Sequence, residues 1–166
     1  MQQLIIRRAA EADLAEIRAC LVETWHATYD ALYGVDEVNR ITGSWHAIDV
    51  LRAQLAQPGD VFEVAEAGGI IAGTALAHAA LNGVAKLGRL YVRPHHQGQG
   101  IGAALLASAL SGIGPAERIT LEVAPGNISA IRFYETHGFH RAAQAASCGG
   151  DPSLNSVIFE MIVQRP

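Results

Sequence analysis

Leu90-Tyr91-Val92-Arg93-Pro94-His95-His96-Gln97-Gly98-Gln99-Gly100-Ile101-Gly102 is the run from which the rest of this chain is best read. An apolar strand stops at Pro94, a glycine-rich turn follows, and a helix starts near Gly100. Such a turn gathers unpaired backbone N–H groups at a helix N-terminus, where the helix dipole adds partial positive charge. Glycine lets a phosphate approach the main chain closely and tolerates positive φ. The run therefore predicts a site for a phosphorylated cofactor.

Outward from that turn, the pattern alternates between short apolar runs and amphipathic stretches. Leu4 to Arg7 reads as a first strand. Asp13 and Glu16 suggest a capping box for a helix from about 13 to 27, with Leu14, Ile17, Leu21 and Trp25 on one face. Tyr29 to Gly43 reads as a loop with at most a helical turn. Ser44 is the expected N-cap of a helix over Trp45 to Gln57, ended by Pro58-Gly59. Val61 to Ala65 and Ile70 to Ala80 form a hairpin through Gly68-Gly69. Asn82-Gly83 turns the chain into a strand over Val84 to Val92. The helix after the glycine turn stops at Gly112-Ile113-Gly114-Pro115. Ile119 to Val123 is a strand, Asn127 opens a helix, and Gly138 sits at a C′ position. Phe139 to Ala146 and Val157 to Val163 close the chain. The order predicts an α+β fold: a mixed, mostly antiparallel sheet of about six to seven strands flanked by helices, with one parallel pair.

The 166 residues predict one domain over 1–166. Half are hydrophobic and 17% are charged, a globular composition. A net charge of −4 with no basic cluster argues against nucleic acid as a partner. No apolar run reaches the length of a membrane span and no leader-like segment opens the chain. Two cysteines, Cys20 and Cys148, suit a reducing, cytoplasmic setting rather than a disulfide scaffold. Cys148 reads as a loop residue, and no histidine pair has the spacing of a metal site.

The glycine turn excludes two familiar phosphate sites. A Walker-type loop needs Lys-Ser/Thr after its last glycine, and here Ala103-Ala104 follows. A dinucleotide fingerprint belongs to an early βαβ unit, and this turn follows antiparallel hairpins. Gln97-Gly98-Gln99-Gly100-Ile101-Gly102 instead resembles the acyl-CoA signature of the GNAT superfamily of N-acyltransferases. A second block, Asn127-Ile128-Ser129-Ala130-Ile131-Arg132-Phe133-Tyr134-Glu135-Thr136-His137-Gly138-Phe139, is similar to that family's later helix. The likeness is close from Leu87 to Phe139.

The resemblance implies direct acyl transfer, usually of acetyl, from acetyl-CoA (coenzyme A) to a primary amine. It implies a pyrophosphate cradle formed by Gln97, Gly98, Gln99, Gly100, Ile101, Gly102 and Ala103. The main chain of Leu90, Tyr91 and Val92 would pair with the pantetheine arm in a gap between splayed parallel strands. Asn127, Ala130 and Phe133 join the cofactor side, with Asn127 serving the pantetheine or capping its helix. Tyr134 falls at the general-acid position, and the Val92 N–H at that of the oxyanion donor.

An alkylammonium is only about 0.1% neutral near physiological pH, a cost of roughly 4 kcal/mol, so a base is expected. Where the family often has a glutamate, this chain has Lys86. The base is therefore unassigned, with His78 and Glu122 as candidates. Trp25, Tyr29 and Tyr33, together with Trp45 and the Ser147 to Ser156 loop, frame the acceptor, a small-molecule amine or a peptide. Trp25 and Trp45 also suit an ordinary core. Lys86 and Arg89 hint at a carboxylate on the substrate, although strand alternation allows only one of them into the site. Lys86 also keeps open an alternative, a non-catalytic acyl-CoA-binding or regulatory module. Oligomeric state is not legible, with a homodimer the commonest prior.

Overall fold

A computed structural model of the chain describes residues 3–145 and 154–163. Cys148, most of the Ser147 to Ser156 loop and the end of the strand expected to reach Ala146 lie outside them. The described residues form seven strands and five helices. In chain order these are β1 (Leu4–Arg8), α1 (Leu14–Tyr33), α2 (Val35–Trp45), α3 (Ile48–Leu55), β2 (Val61–Ala67), β3 (Ile70–Leu81) and β4 (Val84–Val92). Then come α4 (Ile101–Gly112), β5 (Arg118–Val123), α5 (Ile128–Thr136), β6 (His140–Ala145) and β7 (Ser156–Ile162).

The sheet order is β1-β2-β3-β4-β5-β7-β6. All neighbours are antiparallel except β4 and β5. The expected α+β class and parallel pair are thus found. Both hairpin turns are where glycine predicts them: Ala67 pairs with Ile70, and Asn82 and Gly83 both take positive φ.

Strand alternation divides the core. One face of β2 and β3 presents Val61, Ala65, Ala72, Ala75 and Ala77 to Ile101, Leu105, Leu106 and Ala109 of α4. The small side chains let that apolar helix lie close to the sheet. At Gly73 even a Cβ would come within 3.0 Å of Leu105. The opposite face buries Phe62, Val64, Ile71 and Leu76 against Leu14, Ile17 and Leu21 of α1 and Leu51 of α3. Each such side chain removed from water contributes about 1.5–3 kcal/mol.

The N-terminal third departs from the sequence reading in three ways. The Asp13–Glu16 capping box is absent. A 3-10 turn over Glu11–Asp13 precedes α1, and Asp13 accepts the Ala10 N–H and a two-pronged bond from Arg7 at 2.7 and 2.9 Å. Glu16 reaches across to accept the Ile71 N–H at 2.7 Å. Second, α1 runs on to Tyr33, and Gly34 at φ 84° turns the chain directly into α2. The stretch expected to be a loop is helical because Val38, Ile41 and Thr42 recur at helical spacing and are buried. That burial outweighs the ~1 kcal/mol cost of the open-faced Gly43. Third, Ser44 lies inside α2, bonded back to the Arg40 and Ile41 carbonyls, so it caps nothing. The next helix starts at Ile48 instead.

Candidate active site

The parallel ladder between β4 and β5 is short. It pairs Val84 to Leu87 with Arg118 to Leu121 and then stops. From Gly88 to Val92, β4 keeps β3 on one side and diverges from β5 on the other. Successive peptide groups on a strand point to opposite sides. The Arg93 N–H donates to the Ala72 carbonyl across the β3 edge at 2.8 Å, so the Val92 N–H faces the opened side. Arg93 secures this exit: its Nε donates to the Ile71 carbonyl at 2.7 Å and its Nη1 pairs with Glu23 of α1.

Past Pro94 a 3-10 turn leads to the glycine run. Gly98 and Gly100 have φ of 73° and 81°, the left-handed region where a side chain is strained. Gly100 is the N-cap of α4, and its carbonyl takes the first helical bond, from Ala104. Among the described residues, no acceptor takes the N–H groups of Gly98 to Ala103. Open space lies beside the run: a Cβ at Gly98 or Gly100 would meet nothing within 4 Å. At Gly102 the Phe133 ring lies 3.5 Å from such a Cβ, which ties α5 to the base of the cradle.

The divergence and the glycine run open into one cleft of about 1280 Å³. Its lining includes Leu90, Tyr91, Val92, Gln97, Gly98, Gly100, Gly102, Ala103, Asn127, Ala130, Phe133 and Tyr134 from the cofactor side. Gln97 reaches back, its Nε2 donating to the Val92 carbonyl at 2.9 Å. Gln99 turns instead to the His95 carbonyl and Ile101 is buried in the core, and neither of these two expected cofactor residues lines the cleft. Asn127 caps α5 through its Oδ1 and the Ala130 N–H at 3.2 Å, while its Nδ2 donates to the Tyr29 hydroxyl at 3.1 Å. Tyr134 is 8% exposed, set edge-on between Phe133 and Phe139. Burial, with Tyr29 adding to it, pushes its hydroxyl pKa up, so the phenol stays protonated.

The other wall comes from α1, α2 and β4. Trp25 is buried 4.5 Å from Tyr29, centroid to centroid, and packs edge-on with Trp45 and His46. Tyr29 stacks on Tyr33. All of these line the cleft, and the four other than His46 also form a third core cluster with Val38, Ile41 and Leu154. The expected core role of Trp25 and Trp45 is thus found, on residues that also face the cleft.

Lys86 and Arg89 do not alternate as expected. Lys86 pairs with His78 and Arg89 with Leu76, which are two residues apart on β3 and share a face. Gly88 is an extra residue, a bulge, and it returns Arg89 to the side of Lys86. Both line the cleft. The Lys86 ammonium donates to Glu122 Oε1 at 3.0 Å across the ladder. His78 has a different partner: its Nδ1 lies 2.7 Å from Asp60 Oδ2. Asp60 also accepts the Ala79 N–H at 2.9 Å, as an anionic carboxylate does, so Nδ1 carries the proton. Nε2 is left as an acceptor against the Gly88 bulge, where a Cβ would stand 2.7 Å from it.

Asp60 and Gln54 were not expected at the site, and His46 was only a remote candidate for the base. Asp60 was within reach of arithmetic, since counting back from the Gly68-Gly69 hairpin brings it opposite His78 within one bulged residue. Gln54 and His46 carry no local signal.

Residues 18–139 match the family model described as the acetyltransferase (GNAT) family. No curated protein sequence matches the chain. Solved structures do resemble it. The PaiA N-acetyltransferase from Thermoplasma acidophilum, in complex with coenzyme A, is 21% identical with a TM-score of 0.86, covering 97% of this chain and 99% of its own. Ard1 from Thermoplasma volcanium is 20% identical at a TM-score of 0.75, covering 98% and 99%. An acetyltransferase of the GNAT family from Staphylococcus aureus Mu50 is 17% identical at 0.75, covering 98% and 100%.

Proposed function

The chain belongs to the acetyltransferase (GNAT) family, and on that premise we propose that it transfers an acetyl group from acetyl-CoA directly to a primary amine of a small molecule or peptide. The carrying observation is the cleft itself, where β4 leaves β5 beside six unpaired amides at the start of α4. Acetyl-CoA is the family's acyl donor. In this chain the amides from Gly98 to Ala103 suit its pyrophosphate, and the β4 edge from Leu90 to Val92 suits its amide-bearing arm. Asn127, Ala130 and Phe133 line the same side.

His78 is the base this geometry favours. Asp60 fixes its tautomer, and Nε2, beside Gly88 and so four residues before Val92, can accept a proton from the incoming ammonium through water. Glu122 is occupied by Lys86 and balances its charge instead. The amine nitrogen then bonds to the acyl carbon, the Val92 N–H holds the developing oxyanion, and the carbon–sulfur bond breaks. Tyr134 donates a hydrogen bond to the departing sulfur. An ordinary thiol ionises near ~8.5 and an ordinary phenol near ~10, so full proton transfer from this elevated phenol is uphill. Hydrogen-bond donation is the role left to it.

A panel of primary amines, followed by CoA release from acetyl-CoA, tests the reading. Amine-dependent release is expected. Tight CoA binding with no release across the panel would favour the non-catalytic binding module. His78→Ala is expected to slow alkylamines, protonated at neutral pH, more than amines already neutral there.

A further inference from the structure

β4 and its exit carry three cations, and two are matched: Lys86 with Glu122 and Arg93 with Glu23. Among the described residues Arg89 has no acidic partner. It is 7% exposed. Its Nη2 donates to the neutral Gln54 side chain at 2.6 Å, and its guanidinium lies over the Phe62 ring. Its Nη1 is buried with no partner. The neighbouring wall repeats the pattern, since Trp25 Nε1 and both ring nitrogens of His46 are also buried and unpartnered. Trp25, His46, Gln54 and Arg89 all line the cleft. Burial lowers the pKa of Arg89 only to about 10, so it stays a cation at neutral pH, while His46 stays neutral.

This wall therefore holds a buried positive charge and surplus N–H donors with no internal acceptor. Leaving such groups unmatched is costly, and in native proteins an unmatched cluster calls for an explanation. An anionic ligand group would supply one. The Gly88 bulge turns Arg89 onto the cleft face, three residues, or ~10 Å of strand, before Val92.

We propose that the acceptor is a small amino carboxylate, whose carboxylate seats on the wall of Arg89, Trp25 and His46 while its amine reaches the end of β4. The amine half of this statement rests on the acetyl-transfer reading; the carboxylate half does not. The orphan donors lie just behind the cleft surface, so the seat forms as Gln54 yields its hold on the guanidinium.

The test is calorimetry on the full chain without acyl donor. The probes are glycine, leucine, β-alanine and γ-aminobutyrate, each against its primary carboxamide. At least one carboxylate is expected to bind roughly tenfold or more tighter than its amide. Equal binding of every pair, or no binding of any carboxylate, would overturn the proposal. Because Arg89→Gln disturbs a buried position, Gln54→Glu is the second variant. It gives the guanidinium a resident carboxylate at nearly the same shape, and is expected to abolish the preference. A preference that survives in a folded Gln54→Glu protein would also overturn the proposal. CoA titrated into the same samples reports on acetyl transfer separately. Carboxylate binding without CoA binding would sink the transferase reading and leave the anion seat standing.

Discussion

The two ends of the cleft are built from different materials. The donor end is main chain: amides at the start of α4, the free edge of β4, and glycines that keep side chains out of the way. The proposed acceptor end is side chain: Trp25, Tyr29, His46, Gln54 and Arg89, brought from two helices, the turn between α2 and α3, and a strand. A backbone site needs the same few residues wherever it occurs, because its chemistry is the peptide group. A side-chain site can be made in many ways, so on the function proposed above the donor end is the more legible of the two from sequence.

The largest expected effect falls on the donor end. Gly100→Val puts a β-branched residue at φ 81°. Left-handed backbone costs ordinary residues about 1–2 kcal/mol, and the new methyl groups enter the space the amides face. CoA affinity by calorimetry is expected to fall on the order of a hundredfold, about 2.7 kcal/mol. Unchanged affinity in the folded variant would break the contrast, because the cradle would then tolerate side chains.

The acceptor end should instead be sensitive to pH. Burial lowers the pKa of His46 from 6.5 to about 3. Between those values the unfolded chain binds a proton that the folded chain refuses, so stability falls as pH drops through that window. Urea unfolding is expected to show wild type losing about 2 kcal/mol more than His46→Leu between pH 7 and pH 5. Parallel curves would mean the imidazole is solvated.

Tyr134→Phe stands between the two ends. Turnover is expected to drop about tenfold or more, with CoA affinity retained, since the phenol is proposed to act on the departing sulfur and not on the cradle. An unchanged rate would take the hydroxyl out of the reaction. The smallest effect is Glu122→Gln, which breaks a half-exposed pair with Lys86. A stability loss below about 1 kcal/mol is expected, shrinking with added salt.

The same contrast explains what could be read from sequence. Strand ends, both hairpin turns, α4 and the parallel pair followed from glycine positions and apolar runs, which are local. The roles of Asn127 and Gly138 at the ends of α5 were legible for the same reason. The wall was not. Gly43 and Ser44 look like a break, yet Val38 and Ile41 bury enough to carry α2 through them. Arg89 was visible, but the rule of alternation excluded it beside Lys86, because a bulge is a tertiary event with no signature beyond one glycine. Asp13, paired with Arg7 instead of capping α1, shows that a local motif yields when a long-range ion pair is better.

One inserted glycine in β4 has a consequence for how such an enzyme diversifies. Removing Gly88 would exchange inside for outside along one half of the strand, so that only one of the two flanking cations could see the acceptor. The amides that seat the donor lie beyond the insertion and would keep their order. On the function proposed above, loss of this single residue would change which side chains face the acceptor while leaving the amide run in place.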